Sequence, residues 1–298
     1  MLKIFITGVT GFLGYHIASS CIDSGFDLLC LKRKSSVSLF NPEQEKIIRW
    51  INADEEAWEK AVVDYQPDIL IHCAWEGVSA ENRNNPKVQC KNIQLSENLI
   101  KLYPYKQIII LGSQEEYGRI DSVVDENYPL SPITEYAKAK IETCKILQQY
   151  AENKEVEWLW FRVFTVFGEK QKEDWLIPSM IRKCLNPNEL QMDTTKGEQS
   201  YSYLYSADFA RAIKSTLGKV GNSGIYNISS SIPTKLNDLF SLIKWKTNSK
   251  IEFNPVLPYR EYQSMMIMGD STKFKNTFGD YEKTTLSQGL DRIIQTII

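Results

Sequence analysis

Short apolar runs alternate with helical patterns through the first half of the chain. Strands are predicted at 3–7, 27–32, 47–51, 68–73, 107–112 and 158–163, and helices at 13–24, 55–65, 88–103 and 135–152. This alternation implies right-handed βαβ crossovers and a parallel sheet. Several strands are apolar at every position, as expected where helices cover both faces. After Gly168 the rhythm changes. Pro178, Pro187 and the polar stretch 186–200 predict an irregular lobe. Strand- or helix-like patterns return at 202–205, 208–217, 225–228 and 236–245, and a last helix at 286–298 closes the chain. The expected fold class is α/β, a doubly wound parallel sheet with a smaller α/β C-terminal lobe.

The first strand runs into Thr7-Gly8-Val9-Thr10-Gly11-Phe12-Leu13-Gly14. Glycines three apart let the chain turn sharply and let the backbone approach a pyrophosphate without a Cβ clash. The helix that follows offers free N–H groups and a positive dipole end to an anion. Three glycines could also make a bare strand–helix turn. Their place after strand one and before a helix favours a dinucleotide, and with it a Rossmann-type sheet. Gly8, Thr10, Gly11, Phe12, Leu13 and Gly14 are the candidate contacts.

A protein that binds NAD usually carries a carboxylate at the end of strand two, for the ribose hydroxyls. Here the stretch reads Lys32-Arg33-Lys34-Ser35-Ser36. Cations and hydroxyls suit a 2′-phosphate that a carboxylate would repel. The expected cofactor is therefore NADP, with NAD as the alternative, and Lys32, Arg33, Lys34 and Ser35 are its candidate ligands. A solvated basic turn is the bland alternative.

Strand five ends in Gly112-Ser113-Gln114-Glu115-Glu116-Tyr117-Gly118. Ligands in open parallel sheets bind beyond the carboxyl ends of strands, which aims Ser113 at the expected nicotinamide. The next helical pattern carries Tyr136-Ala137-Lys138-Ala139-Lys140, and residues four apart share a helix face. The spacing alone is weak, because the chain has 15 tyrosines and Tyr150 and Lys154 repeat it. The specific signal is the set of glycine turn, Ser113, Tyr136 and Lys140 in that order.

With these motifs the chain resembles the extended short-chain dehydrogenase/reductase family. Ile71-His72-Cys73-Ala74 resembles its motif after strand four, Asn92 its helix asparagine, and the run from Leu159 through Arg162 and Thr165 to Gly168 its strand-six signature. Gly197-Glu198-Gln199 and the run from Tyr203 to Asp208 resemble the return from the substrate lobe. The likeness is nearest to reductases and epimerases of nucleotide-linked 4-keto-6-deoxy sugars, of the CDP-abequose synthase kind.

The resemblance implies a dinucleotide-binding domain over 1–167 and 203–228, and a substrate lobe over 168–202 and 229–298. It implies that NADPH reduces a sugar ketone, with C4 as the expected position. Tyr136 would give the proton, Ser113 would bond the carbonyl oxygen, and Lys140 would lower the tyrosine pKa and hold the nicotinamide ribose. Ala74 joins the cofactor candidates. Trp75, Gln114, Glu115, Thr165, Arg182 and Arg260 are the substrate candidates. Each has a structural alternative: packing for Trp75, a turn cap for Glu115, a solvated helix face for Arg182, an exposed loop for Arg260. His72 is expected to be structural and near the sheet edge, and His16 to lie on a helix surface.

Departures from the family pattern narrow the chemistry. Sugar dehydratases of the family resemble Thr-Asp-Glu where this chain has Ser113-Gln114-Glu115, and Gln114 cannot protonate a leaving hydroxyl as an acid does. Tyr201 and Ser202 stand where many members carry Arg-Asp, and Thr165 where many carry asparagine. Two other functions compete with reduction. One is an epimerase recycling bound NAD, against which the basic turn argues. The other is a noncatalytic dinucleotide sensor, which would commonly have lost the tyrosine or lysine.

Composition adds boundaries rather than direction. The net charge of -2 offers no basic field for nucleic acid. No apolar run approaches the ~20 residues that would span a bilayer, and the opening residues read as a strand rather than a signal peptide. Six cysteines show no metal-like spacing, so no metal is expected and the thiols read as reduced, in a cytoplasmic protein. The expected partners are a nucleotide-diphosphate sugar and, by resemblance, a second copy of the chain. The helices near 88–103 and 135–152 would form a four-helix bundle with their mates.

Overall fold

The computed structural model describes residues 1–79 and 81–298. Seven strands form the central sheet: β1 Lys3–Thr7, β2 Asp27–Lys32, β3 Arg49–Asn52, β4 Ile69–His72, β5 Gln107–Leu111, β6 Glu157–Val163 and β7 Gly224–Ile228. They lie in the order β7-β6-β5-β4-β1-β2-β3, and every pair is parallel. This is the expected Rossmann-type α/β sheet.

The helices of the first half are α1 Phe12–Ile22, α2 Pro42–Ile47, α3 Trp58–Tyr65, α4 Pro86–Leu102 and α5 Glu135–Lys154. Side chains alternate across each strand. Ile4 and Ile6 pack with Ile17 and Ala18 of α1 on one face. Phe5, Leu70 and Ile108 pack with Val62, Leu99 and Leu147 of α3, α4 and α5 on the other. Burial on both faces is why these strands carry no polar alternation.

Caps set the helix starts. Asn85 accepts from the Lys87 and Val88 amides ahead of α4, and Thr134 accepts from the Ala137 amide ahead of α5. Both supply bonds that the first turn of a helix cannot make for itself. Asn41 and Gln44 form a reciprocal capping box, with Pro42 at the first helical position. That box makes α2 a helix, which the apolar pattern did not predict, and delays β3 to Arg49 instead of residue 47. The third helix likewise starts at Trp58, later than the expected 55.

Five further helices follow among the described residues: α6 Leu176–Leu185, α7 Ser206–Ser215, α8 Leu236–Lys246, α9 Thr272–Phe278 and α10 Leu286–Ile297. Phe209 and Ile213 of α7 join α1 over the main sheet. Ile181, Leu239, Phe240, Ile243, Leu290 and Ile293 of α6, α8 and α10 build a separate core. A four-stranded sheet of short segments joins Asp121–Val124, Ser200–Ser202, Pro233–Lys235 and Met266–Gly269. The expected strand 202–205 is split: Ser200–Ser202 enters this sheet, and Leu204–Tyr205 pairs with Val166–Phe167.

Two histidine expectations are corrected. β4 is the middle strand of the seven, so His72 is central rather than near the edge. It is buried, with Nδ1 2.7 Å from the Thr7 hydroxyl and Nε2 2.9 Å from that of Ser96. Burial, helped by the Lys140 charge, lowers its pKa to about 3. His16 is not a free surface residue: its Nε2 donates to the Glu169 carbonyl at 2.9 Å, tying α1 to the chain beyond β6.

Candidate active site

The glycine turn follows β1 directly. Gly8 has φ +76°, and a Cβ there would collide with the Cys73–Ala74 backbone at the end of β4. A Cβ on Gly14 would strike the Gly8 carbonyl. The Gly11 amide donates to that carbonyl at 3.0 Å, which closes the turn. Gly11 also sits as the N-cap of α1 with no side-chain cap, so the first amides of α1 stay available to a ligand. Thr10, Phe12 and Leu13 border this opening and are partly buried. Ala74 donates its amide to Thr7 Oγ1 at 3.3 Å. This Cβ-free cradle with open amides fits a dinucleotide pyrophosphate.

At the end of β2, Lys32 stacks over the Trp50 ring at 4.3 Å. Arg33, Lys34 and Ser35 are exposed. The Lys34 amide donates to Asp54 Oδ2 at 2.7 Å, which shapes the turn. Among the described residues neither the Arg33 nor the Lys34 side chain enters an ion pair, so both cations remain open to an anionic ligand.

Beyond β5, Ser113 caps the 3-10 turn Gln114–Tyr117, its Oγ accepting the Glu115 amide at 3.2 Å. That contact occupies a lone pair and leaves the hydroxyl proton free to donate. The first two turns of α5 bring Tyr136 and Lys140 to the same place. Ser113, Tyr136 and Lys140 are 9%, 8% and 4% exposed, so all three sit in a largely dry setting.

Lys140 Nζ donates to the Leu111 carbonyl at 2.7 Å and lies 3.5 Å over the Trp75 ring. Burial lowers its pKa to about 7, against the opposing pull of Glu116 and Cys73. Burial also pushes the Tyr136 phenol well above its ordinary range, and the Ser113 hydroxyl offsets part of that. Trp75 meets Tyr136 edge-on at 6.0 Å, and its Nε1 donates to Gln89 Oε1 at 2.9 Å. Trp75 thus packs against two members of the set at once.

Glu115 does more than border the turn. Its carboxylate forms an ion pair with Arg83 and accepts the Thr134 hydroxyl at 3.0 Å. Arg83 stands 5.4 Å from the Tyr136 ring, and its carbonyl accepts the Tyr136 amide at 3.0 Å. No local pattern marked Arg83, since it lies in a loop 32 residues before its carboxylate partner. Asn92 pins the loop after Trp75 by exchanging bonds with the Glu76 amide and carbonyl, at 2.9 and 2.8 Å.

The remaining candidates are spread more widely. Gln114 and Thr165 are half-buried, with the Thr165 carbonyl accepting the Leu204 amide at 2.9 Å. Arg260 is exposed in a loop, and its charge acts on Tyr201, whose hydroxyl accepts Gln263 Nε2 at 2.8 Å. Arg182 is engaged by Glu173 at 2.6 Å on an exposed face. Ser113, Tyr136, Lys140, Trp75 and Glu115 therefore converge, whereas Arg182 does not join them. Among the described residues no group of three side chains could hold a metal ion, and no helix is long and apolar enough to cross a membrane.

A parallel sheet with an open-amide glycine turn and a buried hydroxyl–phenol–lysine set at its carboxyl edge defines a dinucleotide-dependent α/β protein. The chain belongs to the NAD dependent epimerase/dehydratase family, which it matches over residues 4–229, and the resemblance to extended short-chain dehydrogenases holds. Among curated relatives it is 24% identical to the CDP-abequose synthase of Salmonella muenchen, across 98% of this chain and 97% of that one. It is 23% identical to the dTDP-4-dehydro-6-deoxyglucose reductase of Escherichia coli, across 99% and 97%. Among solved structures, a UDP-glucose 4-epimerase from Thermotoga maritima crystallised with UDP-glucose superposes with a TM-score of 0.88. That match is 24% identical and covers 99% of this chain and 98% of the other, which establishes the fold.

Proposed function

We propose that the protein uses NADPH to reduce the keto group at C4 of a nucleotide-linked 4-keto-6-deoxy sugar. The observation that carries this reading is the turn after β2. It presents the unpaired side chains of Arg33 and Lys34 with Ser35, and no carboxylate ends that strand. A 2′-phosphate gains charge-assisted bonds there, and a free ribose diol finds no acceptor of the usual kind. Gln114 supports reduction over water elimination, because an amide supplies no acidic proton. Relatives named for abequose synthesis and for 4-dehydro-6-deoxyglucose reduction point the same way.

NADPH held in the glycine cradle supplies the hydride. Tyr136 donates its phenolic proton to the C4 oxygen as negative charge grows there, and Ser113 donates a hydrogen bond to the same oxygen. Lys140 in its ammonium form bonds the nicotinamide ribose and compensates the charge left on the phenol. Trp75 and Glu115 shape the sugar side of the pocket. The nucleotide diphosphate lies towards the C-terminal lobe, with Arg260 as its cation. The working form is a cytoplasmic homodimer in which α4 and α5 pack on their mates.

The test is NADPH oxidation against a panel of nucleotide-linked 4-keto-6-deoxy sugars. Stoichiometric consumption with one of them is the expected result. An epimerase returns its hydride and consumes none, so isomerised sugar without NADPH loss replaces this reading. Tight NADPH binding with no turnover on any sugar defeats it.

A further inference from the structure

Beneath Ser113 lies a carboxylate with no part in the chemistry above. Glu116 is 1% exposed. Its Oε1 accepts the Ser113 amide at 2.8 Å and Trp160 Nε1 at 3.0 Å, and its Oε2 accepts Arg162 Nε at 2.8 Å. Arg162, itself 3% exposed, also donates to the Tyr117 hydroxyl at 2.9 Å and the Glu126 carbonyl at 3.1 Å. The Tyr117 hydroxyl donates in turn to Asn227 Oδ1 at 2.7 Å. A buried ion pair is seldom a net gain over apolar side chains of the same volume, because desolvation offsets the attraction. The chain also gives up a side chain to admit this one: a Cβ on Gly112 would collide with both Glu116 and Trp160. A buried charge pair that is seldom a net gain in stability, and that touches Ser113, asks for a task at the site.

We propose that Glu116 is a positioning residue: it fixes the Ser113 backbone so that its hydroxyl faces the reacting oxygen, and it places a negative charge on the same strand end that Lys140 bonds through the Leu111 carbonyl, two residues before Ser113. The inference rests on Ser113, Tyr136 and Lys140 being the reacting set. The titratable groups facing Lys140 are Glu116 from the turn, His72 and Cys73 from the end of β4, and Tyr136 from its own helix. Those facing Glu116 are Arg162 from β6, Tyr117 from its own turn, and Lys140, Tyr136 and Cys144 from α5. Among the groups acting on Lys140, Glu116 is the main one favouring the charged form against burial. Removing that charge while keeping the shape leaves burial unopposed.

Two variants separate the charge from the contact. Glu116→Gln keeps an acceptor for the Ser113 amide and loses the charge. Lys140, followed by NMR of isotope-labelled lysine in ligand-free protein, then titrates about one pH unit or more below wild type. Glu116→Asp keeps the charge but ends one carbon short of Ser113. Its Ser113 amide proton moves upfield, and kcat falls about tenfold with KM for NADPH little changed. A folded Glu116→Gln protein with a wild-type Lys140 midpoint overturns the proposal. If Glu116→Gln does not fold, an unmoved Ser113 amide resonance in Glu116→Asp overturns it instead. Both spectroscopic readouts need no substrate, so a failure of the reductase reading in the sugar panel is distinguished from a failure of this one.

Discussion

The sheet side and the C-terminal side of the molecule place their candidate residues differently. On the sheet side, Ser113, Tyr136 and Lys140 are nearly dry and sit at the ends of regular elements, held by partners from other strands and loops. On the C-terminal side, Arg182 and Arg260 are exposed, and Arg260 lies in a loop. Exposed loop side chains carry small individual energies and change readily. Buried side chains on rigid elements carry large ones. The candidate reacting groups are therefore placed on the scaffold, and under the proposed function the choice of sugar and base falls to the lobe.

The sharpest way to break this comparison is at the phenol. Tyr136→Phe removes one oxygen from the dry side and should lower kcat about a thousandfold, with NADPH binding by fluorescence unchanged. Residual turnover near wild type would mean the proton comes from elsewhere. Next in size is the turn after β2. Arg33→Ala with Lys34→Ala should raise KM for NADPH roughly thirtyfold, as expected for lost charge-assisted bonds, while KM for NADH barely moves. Equal losses with both cofactors would reassign the turn to general electrostatics.

Trp75→Leu takes the aromatic face from Lys140, and a cation over such a face is stabilised by about 2 kcal/mol when desolvated. The lysine then loses its proton at lower pH, so kcat/KM at neutral pH should fall about tenfold and recover on mild acidification. A loss equal at every pH would show that Trp75 acts on the substrate alone. The smallest effect belongs to the exposed side: Arg182→Ala should change KM for the sugar nucleotide less than about twofold, since Glu173 already engages that guanidinium.

The dryness of the sheet side can be titrated directly. The folded protein keeps His72 neutral down to about pH 3, whereas the unfolded chain binds a proton there below about pH 6.5. A base with a depressed folded pKa contributes stability that is present above the unfolded value and lost as pH falls towards the folded one. Stability should thus drop with pH from about 6.5 towards 3, by up to roughly 1.4 kcal/mol per pH unit from this ring. In His72→Gln the denaturant midpoint should lose that share of its acid dependence. An unchanged slope would mean water reaches the middle of the sheet.

What could be read along the chain was whatever local rules encode. Glycines at 8, 11 and 14 mark the turn, and the collisions a Cβ would meet at Gly8 and Gly14 show why those two must lack one. Apolar runs marked six of the seven main-sheet strands before Gly168, and the seventh returned at 225–228 against an observed Gly224–Ile228. The Asn41–Gln44 box was present in the letters but lay outside the apolar periodicity, so α2 went unpredicted. The C-terminal lobe was hardest because its strands are two to four residues long, too short for periodicity to speak.

By itself the sequence determined the α/β alternation, the glycine turn and the shared helix face of Tyr136 and Lys140, because each follows from backbone freedom or helical spacing over a few residues. Only the tertiary structure decided that His72 lies in the middle strand, that Trp75 covers Lys140, and that Glu116 meets Arg162 across 46 residues of chain. Those outcomes depend on strand order and on which side chains are driven out of water together. Burial, not neighbouring sequence, then shifts the charge state of the groups on which the proposed chemistry rests.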